Sequence, residues 1–287
     1  MQETWTIQGV LNWTIEHFGK KQVPDARLSA ELLLAHVLHC KRLDLYLQFE
    51  RILTSSELAQ FRSMIKRRVK YEPVQYILGE HDFMGLTYKL TPAVLIPRPE
   101  TELLVEEVLR DVQSDNRKKI RVLDVGTGSG VIAISIAGFC SNCAVTAVDI
   151  SSQAIEVARG NAARLSVENV EFHIRDAKKM DAGTFGKFEI IVANPPYIAE
   201  TQRQNLHPQV RDYEPLEALF AGAEGMDFYK AFIPVLPQIL EKDGVIYMEI
   251  GFDQKEKILA LLRENKFKQI KFIQDYQKIN RIVKAQI

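Results

Sequence analysis

The chain has 287 residues, 46% apolar and 26% charged, and its 37 Lys+Arg balance 37 Asp+Glu. This is enough length for two domains with buried cores, and it lacks the cationic excess of a protein that grips nucleic-acid backbones without regard to sequence. Three cysteines make too small and odd a set for a secreted disulfide scaffold. No stretch approaches the ~20 apolar residues of a membrane span, and no basic-then-apolar leader opens the chain, so the cytoplasm is the expected compartment.

Residues 1 to about 80 read as a small helical bundle. Leu28, Leu32, Leu33 and Ala35 through Leu38 recur at helical spacing after a start at Pro24-Asp25. Ser55 or Ser56 is placed to cap a helix from Glu57 to about Lys70, with Leu58, Phe61, Ile65 and Val69 on one face. Between 80 and 97, Phe83, Leu86, Tyr88 and Leu90 surround Gly79 and Gly85, and Pro92 and Pro97 close the segment, which predicts a hairpin linking two domains. Pro99 suits the first turn of the next helix, Glu100 and Glu102 suit its positive end, and Leu103, Leu104, Val108 and Leu109 give it a buried stripe.

From residue 120 the pattern changes to short apolar runs alternating with helical ones. IRVLDV (120–125), AVTAVD (144–149), VEFHI (170–174), FEIIVA (188–193), GVIYMEI (244–250), IKFIQ (270–274) and RIVKA (281–285) are the strand candidates, with Ala154–Arg164 and Phe228–Leu240 among the helices between them. Such alternation predicts a mostly parallel sheet covered on both faces. The expected division is therefore a helical domain over 1–79, a hairpin linker over 80–97 and an α/β domain over 98–287.

The first strand runs into Gly126, Thr127, Gly128, Ser129 and Gly130, and a helix follows. Glycines allow a tight turn and a close approach of ligand to backbone, and Asp149 at the end of the next strand is placed to accept from both hydroxyls of a ribose. The spacing G-x-G-x-G differs from the G-x-G-x-x-G of dinucleotide binders. Asp124, two positions before the turn, suits a methionine ammonium group and does not suit a pyrophosphate. Together these favour S-adenosylmethionine over NAD as cofactor. Asp176, after the third strand, is a candidate acceptor for an adenine amino group, and an ordinary loop aspartate is the equal alternative.

Asn194, Pro195, Pro196 and Tyr197 stand at the carboxyl end of a strand, the edge at which open α/β sheets bind ligands. The prolines stiffen the backbone. The planar nitrogen of an amide or aromatic amine is a poor nucleophile. The side-chain oxygen of Asn194 and the carbonyl of Pro195 can each accept one N–H of an NH₂ group and aim its lone pair at a methyl donor, while Tyr197 lies on the planar group.

These residues resemble the HemK/PrmC family, protein-glutamine methyltransferases that modify peptide chain release factors. The resemblance spans most of the chain: YEPVQYILGEHDFMG (71–85), LIPRPETELLVE (95–106), LDVGTGSGVIAISIA (123–137), AVDIS (147–151), IVANPPYI (191–198), VRDYEPLEAL (210–219) and MEIGFDQ (248–254). It implies a Rossmann-like class I S-adenosylmethionine-dependent methyltransferase domain of seven strands behind a helical N-terminal domain that recognises the substrate. The implied reaction is methyl transfer to the glutamine amide nitrogen in the Gly-Gly-Gln tip of class-1 release factors, leaving S-adenosylhomocysteine. It assigns Gly126 through Gly130, Asp149 and Asn194 to the cofactor, and Asn194, Pro195, Pro196 and Tyr197 to substrate and catalysis, while Asp176 and Ala177 are counted with the cofactor residues by their place after the third strand. Ala177 stands where the family often carries an aromatic residue, so another apolar side chain or the backbone is expected to cover the adenine.

Other features have plainer readings. His36, His39 and Cys40 have metal-compatible helical spacing without a second cluster, so no metal is expected, and Cys140 with Cys143 forms a lone C-x-x-C. Arg62, Lys66, Arg67, Arg68 and Lys70 form a basic cluster, either a solvated face or a contact for an acidic partner or RNA. Glu249 lies near a strand end, close to the expected site or purely structural. A monomer is expected. The competing functions are methylation of a ribosomal-protein glutamine, methylation of a nucleic-acid base amine, which calls for a cationic recognition surface, and a non-catalytic cofactor-binding module. No direct sequence-specific contact with nucleic acid is expected.

Overall fold

The computed structural model describes residues 4–114 and 119–287. It divides into two compact units, Met1–Glu80 with His207–Tyr213, and His81–Leu206 with Glu214–Ile287. Among the described residues no helix is long and apolar enough to cross a membrane.

The first unit packs helices Ile7–Lys20, Ala26–Val37 and Ser55–Arg68, with the short helices Asp44–Leu47 and Val74–Leu78, around Phe18, Leu33, Leu34, Leu45 and Phe61. Helix Ser55–Arg68 starts slightly earlier than the spacing predicts because Thr54 caps it. Its hydroxyl accepts from the Glu57 N–H at 3.2 Å, and the Glu57 carboxylate accepts from the Thr54 N–H at 2.7 Å. Asp25 does not cap the second helix; it takes a left-handed conformation at φ 49°. The basic cluster is split. Arg68 is buried, donating to Ser29 Oγ and to the carbonyls of Pro24 and Glu72, and Arg67 pairs with Glu72, which leaves Arg62, Lys66 and Lys70 on the exposed face. Arg68 also donates to Gln209 Oε1 at 3.2 Å, and the Tyr213 hydroxyl donates to the Lys70 carbonyl at 2.9 Å. These bonds are why a segment remote in sequence belongs to the helical unit.

From His81 onward the second unit opens with a hairpin of β1 (Glu80–Phe83) and β2 (Leu86–Lys89). Met84 and Gly85 both have positive φ, 51° and 74°, as a two-residue turn of matching twist requires. The hairpin expected within 80–97 forms, and its aromatic side chains pack on the α/β unit. Phe83 and Tyr88 are buried in the α/β core, Tyr88 Oη lies 2.9 Å from Ser135 Oγ, and Lys89 exchanges backbone hydrogen bonds with the Asn161 amide at 2.7 and 3.0 Å. Its large aromatic side chains find no comparable cover elsewhere, so they dock where apolar helices already shield the sheet.

The remaining strands are β3 (Ile120–Val125), β4 (Cys143–Asp149), β5 (Val170–Ile174), β6 (Phe188–Ala193), β7 (Leu240–Glu249), β8 (Lys268–Gln274) and β9 (Asn280–Gln286). They form one seven-stranded sheet in the order β5-β4-β3-β6-β7-β9-β8. The pairs from β5 to β7 are parallel; β9 runs antiparallel to β7 and to β8. Helix Val131–Phe139 is buried through Ala137 on every side, which explains its lack of a polar face. The helix expected over 228–240 is broken into Asp227–Phe232, a 3₁₀ turn Ile233–Val235 and Leu236–Ile239, since Pro234 and Pro237 cannot supply the N–H groups of a continuous helix. The chain leaves β3 toward β4 and β5 and returns on the other side as β6 and β7, so the strand order reverses between β3 and β6. Ligands of open α/β sheets bind at that kind of switch point.

If the hairpin is part of the α/β core, Tyr88→Ala costs about 3–5 kcal/mol of unfolding free energy. Urea denaturation followed by near-ultraviolet circular dichroism measures it, and a loss below about 1 kcal/mol would show that the hairpin is only a tether.

Candidate active site

β3 and β6 are in register with Val125 opposite Ala193, so the glycine turn and the Asn194 loop leave the sheet side by side. A Cβ on Gly126 would stand 3.9 Å from the Asn194 carbonyl oxygen. Gly126, Gly128 and Gly130 have φ of 72°, 56° and 86°, a region that side chains disfavour. Gly130 has no room besides: a Cβ there would lie 2.7 Å from Ile134 Cδ1 and 3.1 Å from Ala158 Cβ. The Gly126 and Thr127 N–H groups donate to the Val148 carbonyl at 2.9 and 3.1 Å, tying the turn to β4. The side chains of Thr127 and Ser129 are buried, so what these residues offer a ligand is backbone.

Asp124 lies fully buried beneath this turn. Its Oδ2 accepts from Thr127 Oγ1 at 2.6 Å and from the Ala133 N–H at 3.2 Å, whereas Oδ1 is buried without a partner. Burial, with the negative charge of Asp149 nearby, pushes its carboxyl up to about 7 against the pull of those two hydrogen bonds. An orphaned carboxylate oxygen below a backbone cradle is the feature that a cationic amine would satisfy. Asp149 is half-buried; its Oδ2 accepts from the Gly128 N–H and its Oδ1 from the Ser151 N–H, each at 2.9 Å. Each oxygen keeps a second lone pair for a diol. Burial raises its carboxyl too.

Asp176 is beside Asp149, since the Arg175 N–H donates to the Asp149 carbonyl at 2.9 Å. It accepts from the Lys178 N–H at 3.1 Å and stands near Lys178 and Lys179. The Ala177 methyl faces the core with Val148 and Met180, so it presents no side chain to a ligand. Ile150, directly after Asp149, is 59% exposed and is one of the apolar side chains at this edge, with Ile174 on the neighbouring strand. A β-branched residue after the acidic strand end was the signal for it in the sequence.

In the second loop Pro195 is buried, and Asn194, Pro196 and Tyr197 are partly so. Asn194 Nδ2 donates to Thr101 Oγ1 at 3.0 Å, and Thr101 donates to Glu249 Oε2 at 2.8 Å. The other oxygen of Glu249 accepts from the Tyr197 hydroxyl at 3.2 Å. The Tyr197 ring therefore turns its polar end inward, where burial and the Glu249 charge hold its ionisation well above the usual phenol range. Gln254 clamps the loop from behind, donating to the carbonyls of Tyr197 at 2.9 Å and Gly225 at 3.0 Å. Glu249 is 2% exposed, and burial pushes its carboxyl up to about 7 in spite of the Thr101 and Tyr197 hydrogen bonds.

Thr101, in helix Pro99–Ser114, was not foreseen as part of this site, and neither was Arg98. Arg98 pairs with the buried Glu214 at 2.7 Å, and Glu214 also accepts from the Ile96 N–H at 3.2 Å. The segments IPRPETE and DYEPLEAL are thus partners, one supplying Arg98 and Thr101 and the other Glu214. The metal-compatible spacing at His36, His39 and Cys40 does not survive folding. The helix ends at Val37 and His39 turns left-handed at φ 51°. Among the described residues no group of three or more His, Cys, Asp or Glu could hold a metal. Cys140 and Cys143 are both buried free cysteines.

Two carboxyls pushed up to about 7 bind protons in the native state that the unfolded chain releases near their ordinary values of 3.8 and 4.5. The unfolded state therefore holds fewer protons across this window, and stability falls as pH rises from about 4 to above 7. Asp124→Asn and Glu249→Gln should each flatten that fall in the ligand-free protein. Denaturation midpoints at pH 5 and pH 8 test this, and unchanged slopes in both variants would contradict the buried-acid assignment.

A family model described as PrmC N-terminal domain matches residues 9–79, and one described as methyltransferase domain matches residues 116–249. A release factor glutamine methyltransferase of Geobacter sulfurreducens is 39% identical over 285 residues, covering 99% of this chain and 98% of its own. One from Chlorobaculum tepidum is 40% identical over 286 residues, covering 98% and 97%. Among solved structures, the hMettl16 catalytic domain in complex with the MAT2A 3′UTR hairpin 6 shares the fold, with a TM-score of 0.54 at 14% identity over 82% of this chain and 84% of that one. With near-complete coverage by relatives of one name, and with both halves matched in order, the chain belongs to the release factor glutamine methyltransferase family.

Proposed function

We propose that this protein methylates the side-chain amide nitrogen of the glutamine in the Gly-Gly-Gln tip of class-1 peptide chain release factors in the cytoplasm, with S-adenosylmethionine as donor. The observation that carries this reading is the adjacency of the glycine turn and the Asn194 loop across the β3–β6 pair. A methyl donor on the first and an amide on the second share one corner.

The residues fit the donor. The open backbone of Gly126–Gly130 accommodates its amino-acid portion, the unpartnered Asp124 Oδ1 matches its ammonium group, and the spare lone pairs of Asp149 match its ribose hydroxyls. Asp176 and Ile150 flank the adenine position. Bound there, S-adenosylmethionine supplies an electrophilic methyl on a sulfonium sulfur.

The chain's own residues deal with the weak nucleophile. Because Asn194 spends an N–H on Thr101, its Oδ1 is free to accept from the substrate NH₂, and the Pro195 carbonyl is the second acceptor. Two acceptors on one NH₂ favour pyramidal nitrogen and direct its lone pair toward the methyl carbon. Pro196 stiffens the loop, and the Tyr197 ring, held by its hydroxyl, walls the cradle. The helical unit takes the grip on the rest of the release factor; its exposed Leu43, Leu47 and Ile52 are unusual for a surface with no partner.

Transfer of a radiolabelled methyl group to purified release factor, with a Gly-Gly-Ala tip as control, tests the reading. Label is expected only on the glutamine form, and label that persists in the control or goes to RNA instead would refute it. Asn194→Ala should abolish turnover while S-adenosylmethionine affinity by calorimetry stays within about tenfold, or about 1.4 kcal/mol.

A further inference from the structure

Glu249 is a buried carboxylate with a hydrogen-bonding geometry richer than a packing role needs. One oxygen reaches Thr101 at 2.8 Å and the other reaches Tyr197 at 3.2 Å, and Thr101 in turn lies 3.0 Å from Asn194. Thr101 is itself 2% exposed, so water does not compete for its hydroxyl.

A hydroxyl has one hydrogen to give. When Glu249 is a carboxylate, it can only accept, so the Thr101 hydrogen points to Oε2. The Thr101 oxygen must then accept, and only the NH₂ end of the Asn194 amide can donate to it. That leaves Oδ1 facing outward. We propose that Glu249, acting through Thr101, is a positioning residue that sets which way round the Asn194 amide stands, and that its second oxygen holds the Tyr197 ring on the far side of the substrate cradle. The inference rests on the glutamine-methylation reading above and extends it to residues that touch neither donor nor acceptor.

The relay has a direction that protonation reverses. A proton on Glu249 Oε2 donates to Thr101, whose hydrogen then turns to Asn194 and stabilises the flipped amide, with its oxygen inward. An NH₂ group then meets the substrate NH₂, and the cradle loses an acceptor. The charged and titratable groups facing Glu249 are Glu100, which disfavours its ionised form, Arg281, which favours it, Tyr197, and Tyr229, whose hydroxyl donates to the Glu249 carbonyl at 2.6 Å. Burial also places its carboxyl near 7, so the switch falls within the working range of an assay.

The experiment measures methylation of a release factor from pH 6 to 9 at saturating S-adenosylmethionine. Thr101→Val removes the relay with little change of shape, Thr101→Ser retains the hydroxyl, and Glu249→Gln removes the titration. Wild-type kcat is expected to fall on the acid side. Thr101→Val should lower kcat by about 10–100-fold with KM for the release factor within about threefold, as misplacement of one reacting group does. Thr101→Ser should recover most of that loss, and Glu249→Gln should abolish the acid limb. Calorimetric affinity for S-adenosylmethionine reports whether each variant is folded, and a variant that fails this check is judged by the pH profile of the other. If wild type labels the release factor while the folded variants keep its kcat and its acid limb, the relay is refuted and the function stands. If wild type leaves the release factor unlabelled, both fall.

Discussion

The parallel pairing of β3 with β6 is the constraint on which the site depends. Their register sets Val125 beside Ala193, the last residue of each strand, and both loops begin at the next position. Gly126 has no side chain and Asn194 is followed by two prolines, so neither loop folds back over the other. The strand order reverses at this pair, the kind of switch point at which open α/β sheets bind ligands. The two loops stand side by side because of sheet topology, and a one-residue slip would send every side chain of one strand to the wrong face.

Two carboxyls are buried beside these loops, Asp124 beneath the glycine turn and Glu249 beside the Asn194 loop. Removing a carboxylate from water costs several kcal/mol, so a fold keeps such groups only where something recovers that cost. Thr127, the Ala133 N–H, Thr101 and Tyr197 offset part of it by hydrogen bonding. What remains is left uncompensated in this fold, most plainly at Asp124 Oδ1. The ligand-free fold is thus less stable near neutral pH than its core alone would make it, a cost concentrated at the two loops.

Much of this was legible in the chain. Strands with near-continuous apolar runs, the glycine turn with Asp149 after the next strand, and the Asn194–Tyr197 quartet all follow from local period and local backbone chemistry. So did the helical character of the first eighty residues, although Thr54 rather than Ser55 or Ser56 makes the cap. The breaks were less visible. One helix is expected across Pro234 and Pro237 where the chain breaks it, and the surface that buries Phe83 and Tyr88 is not recorded locally, since it depends on which elements they meet.

The residues themselves determined the alternation of strands and helices, the conformations that only glycine accepts, and the stiff proline loop, because each of these depends on neighbours a few positions away. Tertiary structure alone decided the bond between Thr101 and Glu249, 148 positions apart, the bond between Asn194 and Thr101, 93 positions apart, and the attachment of His207–Tyr213 to the helical unit. A side chain's hydrogen-bond partner is chosen by which elements the sheet brings together, and no local pattern in the chain records that choice.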